Sequence, residues 1–458
     1  MYRSTFVVLL AFSIFPTVRL AADEAPRPNF VVMIADDVSP EDHGCYGHPH
    51  IRTPYLDALA ADGLRFTRAF LTISSCSPSR ASILTGRYPH NTGAGELHQA
   101  LPAEQVMISK VLREAGYYTA AAGKWHLGNS AKGQFDRVAE GGGPSGCGDW
   151  VNVLRERPKD KPFFLWLASF DAHRGYSRNA IEKPHGREDV IVPPFLPDEP
   201  EVRDDLALYY DEISRLDGFV GQVREELAQQ GVAENTVVVY LADNGRPFPR
   251  CKTNLYDSGL QTPLLVAWPK GIEPAACERV VSSLDLVPTF AELAGVKRPE
   301  SFEGESLAPL FKDPEQAVRK YAFGEHNWHD YQAHERSVRG ERFLYIRNAF
   351  PEFNGSPPAD AVNSPTYRVM LELSKNGDLP PEQAGPITAP RPAEEFYDCE
   401  ADPHQLRNLI DDPEHAETLK HMRSVLDDWI KQTGDRVPAK PTPDKFHRWT
   451  GKRLGANG

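Results

Sequence analysis

The sequence of 458 residues has few cysteines, no apolar run long enough to suggest a membrane-spanning helix, and no excess of basic charge. Its six cysteines form neither a C-x-x-C pair nor a compact framework, which argues against a disulfide scaffold and favours free, buried thiols. A formal net charge of −13 argues against a nucleic-acid-binding protein. An anionic small-molecule substrate is not excluded, because a few cations in one cleft are enough to bind it.

The N-terminal segment has the pattern of an export signal. One arginine precedes the apolar residues 6–15, and small residues follow at Ala21 and Ala22. The apolar run is short for a bilayer span, so stable membrane insertion is not expected. We predict a signal peptide over residues 1–22 and export to a periplasm or the cell exterior, or to the lysosome of an animal source.

Short apolar segments alternate with segments of helical spacing, which predicts an α/β layered fold. Strands that are apolar throughout lie in a sheet covered on both faces. The predicted strands cover residues 29–35, 117–122, 163–170, 236–242 and 263–268. The predicted helices between them cover residues 54–61, 103–115 and 206–230.

The pattern changes in the last third of the chain. A hairpin is predicted over residues 336–346, a proline-rich loop over 351–392 and an amphipathic helix over 415–432. We therefore predict a catalytic domain over residues 24–312 and a smaller C-terminal subdomain over residues 313–458.

Polar residues follow four of the predicted strands, at the sheet edge where ligands bind in such folds. They are Asp36, Asp37, Lys124, His126, Asp171, His173, Asp243 and Asn244. The two pairs Asp36-Asp37 and Asp243-Asn244 supply four hard oxygen ligands, which suit Ca²⁺ or Mg²⁺. Either pair alone is more often a turn or a helix cap.

The most specific motif is CSPSRASILTGR at residues 76–87. It resembles the signature of the formylglycine-dependent sulfatase family, C-x-P-S-R followed by L-T-G. Pro78 suits the start of a helix, which would place residue 76 at the positive helix end. The resemblance implies that a maturation enzyme oxidises Cys76 to formylglycine. It also implies an alkaline-phosphatase-like fold, with a large, mostly parallel sheet between helices and a small C-terminal α+β subdomain carrying a short antiparallel sheet.

The same resemblance implies a role for each matching residue. The Ca²⁺ ligands would be the four oxygen-bearing residues of the two pairs and the modified Cys76. In the motif GKWHLG at residues 123–128, Lys124 would hold sulfate and His126 would act on the formylglycine hydroxyl. His173 would protonate the leaving group, whereas Lys252 and Arg80 would offset the charge on the sulfuryl oxygens.

Four further residues are weaker candidates for substrate binding: Arg174, Arg250, His326 and His329. The two arginines are equally well explained as solvated surface charges, and the two histidines as packing residues.

Within the family, residues 173–174, 248–249, 253–256 and 263–266 resemble the heparan N-sulfatase group, which acts on N-sulfoglucosamine. Lys252 stands where that group has arginine, and Ala172 replaces a proline, so an O-sulfated glycan remains an alternative substrate. A phosphate or phosphonate ester hydrolase of the same superfamily is a second hypothesis, and a glycan-binding protein with an inactive site is a third.

Overall fold

The structure, a computed structural model, describes residues 27–355 and 357–455. The signal peptide predicted over residues 1–22 lies outside this part of the chain. Within it, no helix combines the length and the apolar character needed to cross a membrane.

Fourteen strands form three sheets within the described residues. The strands are β1 (Asn29–Ala35), β2 (Leu64–Phe66), β3 (Ala69–Phe70), β4 (Tyr118–Gly123), β5 (Arg137–Glu140), β6 (Phe163–Ala168), β7 (Thr236–Ala242), β8 (Leu264–Ala267), β9 (Ala275–Cys277), β10 (Val281–Ser282), β11 (Ala322–His326), β12 (Glu335–Arg339), β13 (Phe343–Asn348) and β14 (Glu394–Asp398). The α-helices are α1 (Pro54–Ala61), α2 (Cys76–Thr85), α3 (Pro89–Thr92), α4 (Ile108–Glu114), α5 (Trp150–Glu156), α6 (Pro200–Gln229), α7 (Asp257–Leu260), α8 (Leu286–Leu293), α9 (Ala359–Val362), α10 (Pro365–Asn376) and α11 (Ala416–Thr433).

The large sheet has eight strands in the order β5-β4-β6-β1-β7-β8-β2-β9. The five strands from β5 to β7 are parallel, whereas β8 runs antiparallel to both of its neighbours. Because β4, β6, β1 and β7 are adjacent and parallel, the residues that follow them meet at one edge of the sheet.

Helices cover both faces of this sheet. Side chains alternate along a strand, so Phe30, Val32 and Ile34 of β1 pack on one face and Val31 and Met33 on the other. The first face is covered by α2, α4 and α8, and the second by α1, α5 and α6. The apolar strands are therefore buried on both sides, and the predicted fold class is confirmed.

The C-terminal region contains the antiparallel sheet β11-β12-β13-β14. Helix α11 packs on it through Leu426 and Trp429, which share an apolar cluster with Val338, Tyr345 and Phe396. The predicted hairpin is formed by β12 and β13, and the amphipathic helix predicted over residues 415–432 is α11.

The proline-rich loop predicted over residues 351–392 is wrong, because this segment contains α9 and α10. The Ser364 hydroxyl accepts a hydrogen bond from the backbone N–H of Tyr367, and Pro365 is the first residue of α10. Proline is favoured at that position, since the first N–H groups of a helix have no partner within it. Here proline marks the start of a helix, which the interpretation as a loop overlooked.

Candidate active site

Helix α2 begins at Cys76 and is buried along its whole length. Pro78 lies in its first turn, where a missing N–H costs nothing. The helix ends at Thr85 and is followed by Gly86, whose φ of 62° is left-handed and where a Cβ atom would lie 2.4 Å from Val287. The motif therefore forms a short helix whose positive end carries residue 76.

The Cys76 thiol lies among carboxylates at the carboxyl edge of the large sheet. Its Sγ atom is 3.6 Å from Oδ1 of Asp36 and 3.8 Å from Oδ1 of Asp37, both just after β1. One atom from each of Cys76, Asp36, Asp37 and Asp243 lies within 4.8 Å of the others. Burial raises the pKa of the thiol well above its usual range, so Cys76 is neutral and a weak nucleophile as a thiol.

These residues fit a divalent cation. Burial and the neighbouring Asp36 raise the pKa of Asp243 to about 6, which expresses the cost of crowding these carboxylates. The Asn244 Nδ2 atom donates to Oδ1 of Asp37 and to the Gly245 carbonyl. These two acceptors fix the orientation of the side-chain amide. Its Oδ1 atom is buried and has no hydrogen-bond partner in the described part of the chain. A hard cation between these oxygens would offset the repulsion and use the unpaired acceptor.

Three buried, positively charged side chains surround the carboxylates. Arg80 Nε donates to Oδ2 of Asp243 at 2.8 Å, and the Lys124 ammonium contacts Oδ2 of Asp36. Although burial opposes it, the pKa of Lys124 is raised by Asp36, so the lysine stays charged. On the other side, Lys252 Nζ donates to Oδ2 of Asp37 at 2.8 Å. Three acidic and three basic side chains thus lie around Cys76.

His126 follows the β4 strand and pairs with a second histidine. Its Nε2 atom lies 2.7 Å from Nδ1 of His98, and its Nδ1 atom is buried without a partner among the described residues. Burial and the nearby Lys124 lower the pKa of His126 to about 2, so its imidazole is neutral. The backbone N–H of His98 donates to the Ser77 hydroxyl, which joins this pair to α2.

His173 and Lys252 meet at an aspartate that the sequence analysis did not identify. Oδ2 of Asp360 lies 3.5 Å from Nε2 of His173 and 3.5 Å from Nζ of Lys252. His173 Nε2 is also 4.0 Å from Oδ2 of Asp37. The C-terminal region therefore supplies a charged group to a site built mainly at the edge of the large sheet.

The two arginines predicted as substrate contacts bind within the protein. Arg174 donates to both carboxylate oxygens of Asp205, at 2.9 and 3.0 Å, and lies over the Phe248 ring. Arg250 donates to the carbonyls of His404 and Gln405. Arg250 is buried and the Arg174 side chain is 8% exposed, so neither is a solvated surface charge, and both hold loops around the site in place.

The two histidines predicted as sugar contacts lie on the same side of the site. His329 is buried, and its Nδ1 atom is 2.6 Å from the hydroxyl of Ser75, the residue before Cys76. His326 Nδ1 is 3.1 Å from Oε1 of Glu335. The cavity they line together measures about 20 Å³, which has room for about one water molecule and not for a sugar.

The structure thus brings together the ten residues of the two strand-end pairs, the two motifs and the looser matches. They are Asp36, Asp37, Cys76, Arg80, Lys124, His126, His173, Asp243, Asn244 and Lys252. Sequence reasoning missed Asp360 and His98. Asp360 lies in a segment interpreted as a loop, and His98 lies in a turn that carries no pattern.

Comparisons with known proteins define the class. Residues 28–145 and 148–296 match the sulfatase family, and residues 251–351 match the family described as N-sulphoglucosamine sulphohydrolase, C-terminal. The first match covers more than half of the chain. The protein therefore belongs to the sulfatase family, whose members hydrolyse sulfuric esters.

Individual relatives of known function align with this chain over most of their length. The chain is 33% identical to human N-sulphoglucosamine sulphohydrolase, over 90% of this chain and 91% of that one. It is 30% identical to an ulvan-active sulfatase of Formosa agariphila, over 89% of this chain and 76% of that one. The solved structure of a 2-O GAG sulfatase superposes with a TM-score of 0.69 at 22% identity, over 94% of this chain and 98% of that one. The fold is thus that of sulfatases.

Proposed function

We propose that the protein removes sulfate from a sulfated saccharide through a formylglycine made from Cys76, with Ca²⁺ bound beside it. The observation that carries the proposal is the position of Cys76, at the start of α2 and within 4 Å of both Asp36 and Asp37. Mg²⁺ is the alternative ion, since it prefers the same oxygen ligands.

The neutral state of the thiol supports chemical conversion of Cys76. A buried thiol with a raised pKa is a poor nucleophile, and sulfur has no second hydroxyl with which to release a sulfate group again. A hydrated aldehyde at the same position has two hydroxyls, one to accept the sulfuryl group and one to help expel it.

The cation would be held by Asp36, Asp37, Asp243 and Asn244 together with residue 76. When bound, it supplies Lewis-acid polarisation of the oxygens that it contacts. These carboxylates are the groups with which Lys124, Lys252 and Arg80 now pair. With the carboxylates occupied by the ion, the ammonium groups of Lys124 and Lys252 would be free to donate to the sulfuryl oxygens, where negative charge accumulates in the transition state.

Two sets of residues would move protons. His126 is neutral and has an unpaired Nδ1 atom, which suits a base for the hydroxyl of residue 76. His173 Nε2 lies 4.0 Å and Lys252 Nζ 2.8 Å from Oδ2 of Asp37, and these two groups suit an acid that protonates the leaving atom.

The substrate we favour is an N-sulfated glucosamine. Support comes from the match of residues 251–351 and from the human relative, whose name states that substrate. An O-sulfated glycan is the second candidate, because the ulvan-active sulfatase is about as similar over nearly the same share of this chain. We further propose export of the chain and its modification by a maturation enzyme.

Mass spectrometry across Cys76 tests the proposal directly. After co-expression with a formylglycine-generating enzyme, trypsin releases residues 69–80, in which we expect the thiol to be replaced by an aldehyde. The modified protein should hydrolyse glucosamine N-sulfate, whereas Cys76→Ala should show only background turnover. A protein that hydrolyses sulfate although the peptide is fully unmodified would refute the formylglycine mechanism.

A substrate panel separates the candidates. Glucosamine N-sulfate, glucosamine 6-O-sulfate, 4-nitrophenyl sulfate and 4-nitrophenyl phosphate are compared by kcat/KM on one preparation. Preference for the N-sulfate supports the narrower proposal, and preference for the 6-O-sulfate assigns an O-sulfatase. Faster turnover of the phosphate ester would assign the protein to phosphoryl chemistry.

A further inference from the structure

Asp360 is an acidic residue that joins the site from outside the large sheet. It lies in α9, and its Oδ2 atom is 3.5 Å from both His173 Nε2 and Lys252 Nζ. Its Oδ1 atom accepts from the backbone N–H of Ala361 at 2.8 Å, so one oxygen faces its own helix and the other faces the site. A quarter of the side chain is exposed, whereas Lys252 is almost fully buried.

The two groups that Asp360 approaches are the two candidate proton donors. His173 Nδ1 lies 3.0 Å from the carbonyl oxygen of Arg174, which can only accept, so Nδ1 carries a hydrogen. The other ring nitrogen, Nε2, is therefore the atom able to exchange a proton with a ligand. That is the atom facing Asp360.

The backbone around Asp360 is anchored on both sides. The backbone N–H of Ala359 donates to Oδ2 of Asp330 at 3.1 Å. On the other side, the Thr366 hydroxyl donates to Oδ2 of Asp205 at 2.7 Å, and Arg174 binds the same carboxylate. One network thus fixes both the residue next to His173 and the helix that follows Asp360, so the spacing of the two groups is built into the fold.

We propose that Asp360 is a positioning residue for protonation of the leaving group, holding His173 Nε2 and Lys252 Nζ toward the leaving atom of the substrate. This inference rests on the proposed function. As an oxygen of the modified residue 76 bonds to sulfur, the bond between sulfur and the leaving oxygen or nitrogen breaks, and its electron pair stays on the leaving atom. The atom then takes a proton from His173 or Lys252, and the Asp360 carboxylate keeps its charge throughout.

Aryl sulfates of similar shape and different leaving-group acidity test this role. Nitrophenolate departs without protonation, whereas phenolate needs more help from an acid. For Asp360→Asn we expect kcat to fall about 30-fold with phenyl sulfate and about twofold with 4-nitrophenyl sulfate, at nearly unchanged KM. With glucosamine N-sulfate, a poor leaving group, the fall in kcat should be at least as large as with phenyl sulfate.

Two variants serve as controls. Asp360→Glu keeps the charge and should recover most of the lost phenyl sulfate turnover. If Asp360→Asn does not fold, the dependence of kcat on leaving-group acidity in Asp360→Glu decides, because a displaced carboxylate should still steepen it. Glu372→Gln removes an exposed acidic group of α10 and should change neither substrate's turnover.

The outcomes separate this inference from the proposed function. An equal fall in kcat with both aryl sulfates would overturn the positioning role and assign Asp360 to general stability. A rise in KM at unchanged kcat would overturn it too and assign Asp360 to substrate binding. If wild type cleaves only saccharide sulfates, they are used to compare Asp360→Asn with wild type. A fall in kcat at constant KM then supports the role, and a rise in KM at constant kcat refutes it. A wild type that cleaves no sulfate, although Cys76 is modified, would refute the proposed function itself.

Discussion

Two halves of the candidate site differ in how they are built. The sheet-edge half is buried: Asp36, Asp37 and Asp243 follow the adjacent strands β1 and β7, and Cys76 and Arg80 lie in α2. The outer half, His98, His173, His329 and Asp360, comes from loops and a four-residue helix, and most of it is partly exposed.

The two halves therefore differ in how firmly the fold holds their side chains. Parallel strands fix the first half, since moving one carboxylate would require breaking hydrogen bonds of the central sheet. The second half depends on how loops and α10 pack against that sheet, and loops accept changes of sequence more readily. We therefore expect changes in the sheet-edge half to abolish turnover and changes in the outer half to modulate it.

The largest effect is expected from Asp37→Asn. This variant removes a charged oxygen from the cation site while keeping the side-chain volume, and several kcal/mol of transition-state stabilisation correspond to a loss of about 1,000-fold in kcat. Ca²⁺ should raise the Tm of wild type and not that of the variant, which thermal unfolding with and without a chelator measures. Glu41→Gln, an exposed change four residues later, is the control. Full wild-type activity after exhaustive chelation would contradict the cation site.

An intermediate effect is expected from His98→Gln. His98 is exposed, and its ring contacts Nε2 of His126, so its loss should disturb the orientation of the neutral base more than the fold. We expect kcat to fall about tenfold, while the free energy of unfolding changes by less than about 0.5 kcal/mol. Steady-state kinetics and denaturant titration measure the two quantities, with the neighbouring exposed Gln99→Ala as control. Unchanged kcat would show that the pairing has no role in turnover.

The smallest effect is expected from Thr366→Val. The variant removes the hydrogen bond that ties α10 to Asp205, which should lower the free energy of unfolding by about 1 kcal/mol. Because α9 precedes α10, phenyl sulfate turnover should fall about threefold and 4-nitrophenyl sulfate turnover should not change. Ser374→Ala, which removes an exposed hydroxyl of the same helix, is the matched control. An equal fall in the turnover of both substrates would show that α10 has no role in protonation of the leaving group.

The same contrast explains what the sequence could predict. Asp36 and Asp243 directly follow apolar strands, and β1 and β7 were predicted with their observed bounds. Adjacent parallel strands bring such residues together by geometry alone. Lys124 and Cys76 could be identified from the sequence because each lies in a contiguous motif, which a single sequence displays.

Asp360 and His98 could not be found in this way. The position of Asp360 depends on α10 packing against α6, an arrangement that no local pattern encodes. His98 has a left-handed φ of 66° in a turn set by contacts with Ser77 and His126. Helix α4 shows the same limit on a smaller scale: it was predicted over 103–115 and spans Ile108–Glu114, because the turn before it is irregular.

The burial of α2 has a consequence for the order of events in the life of the chain. Cys76 is only 2% exposed, and every residue of its helix is covered. The packed helix therefore leaves the thiol almost inaccessible to a second enzyme. If Cys76 is converted to formylglycine as proposed, the conversion must precede the docking of α2 between the sheet and α8, and a chain that folds first would keep an unreactive thiol.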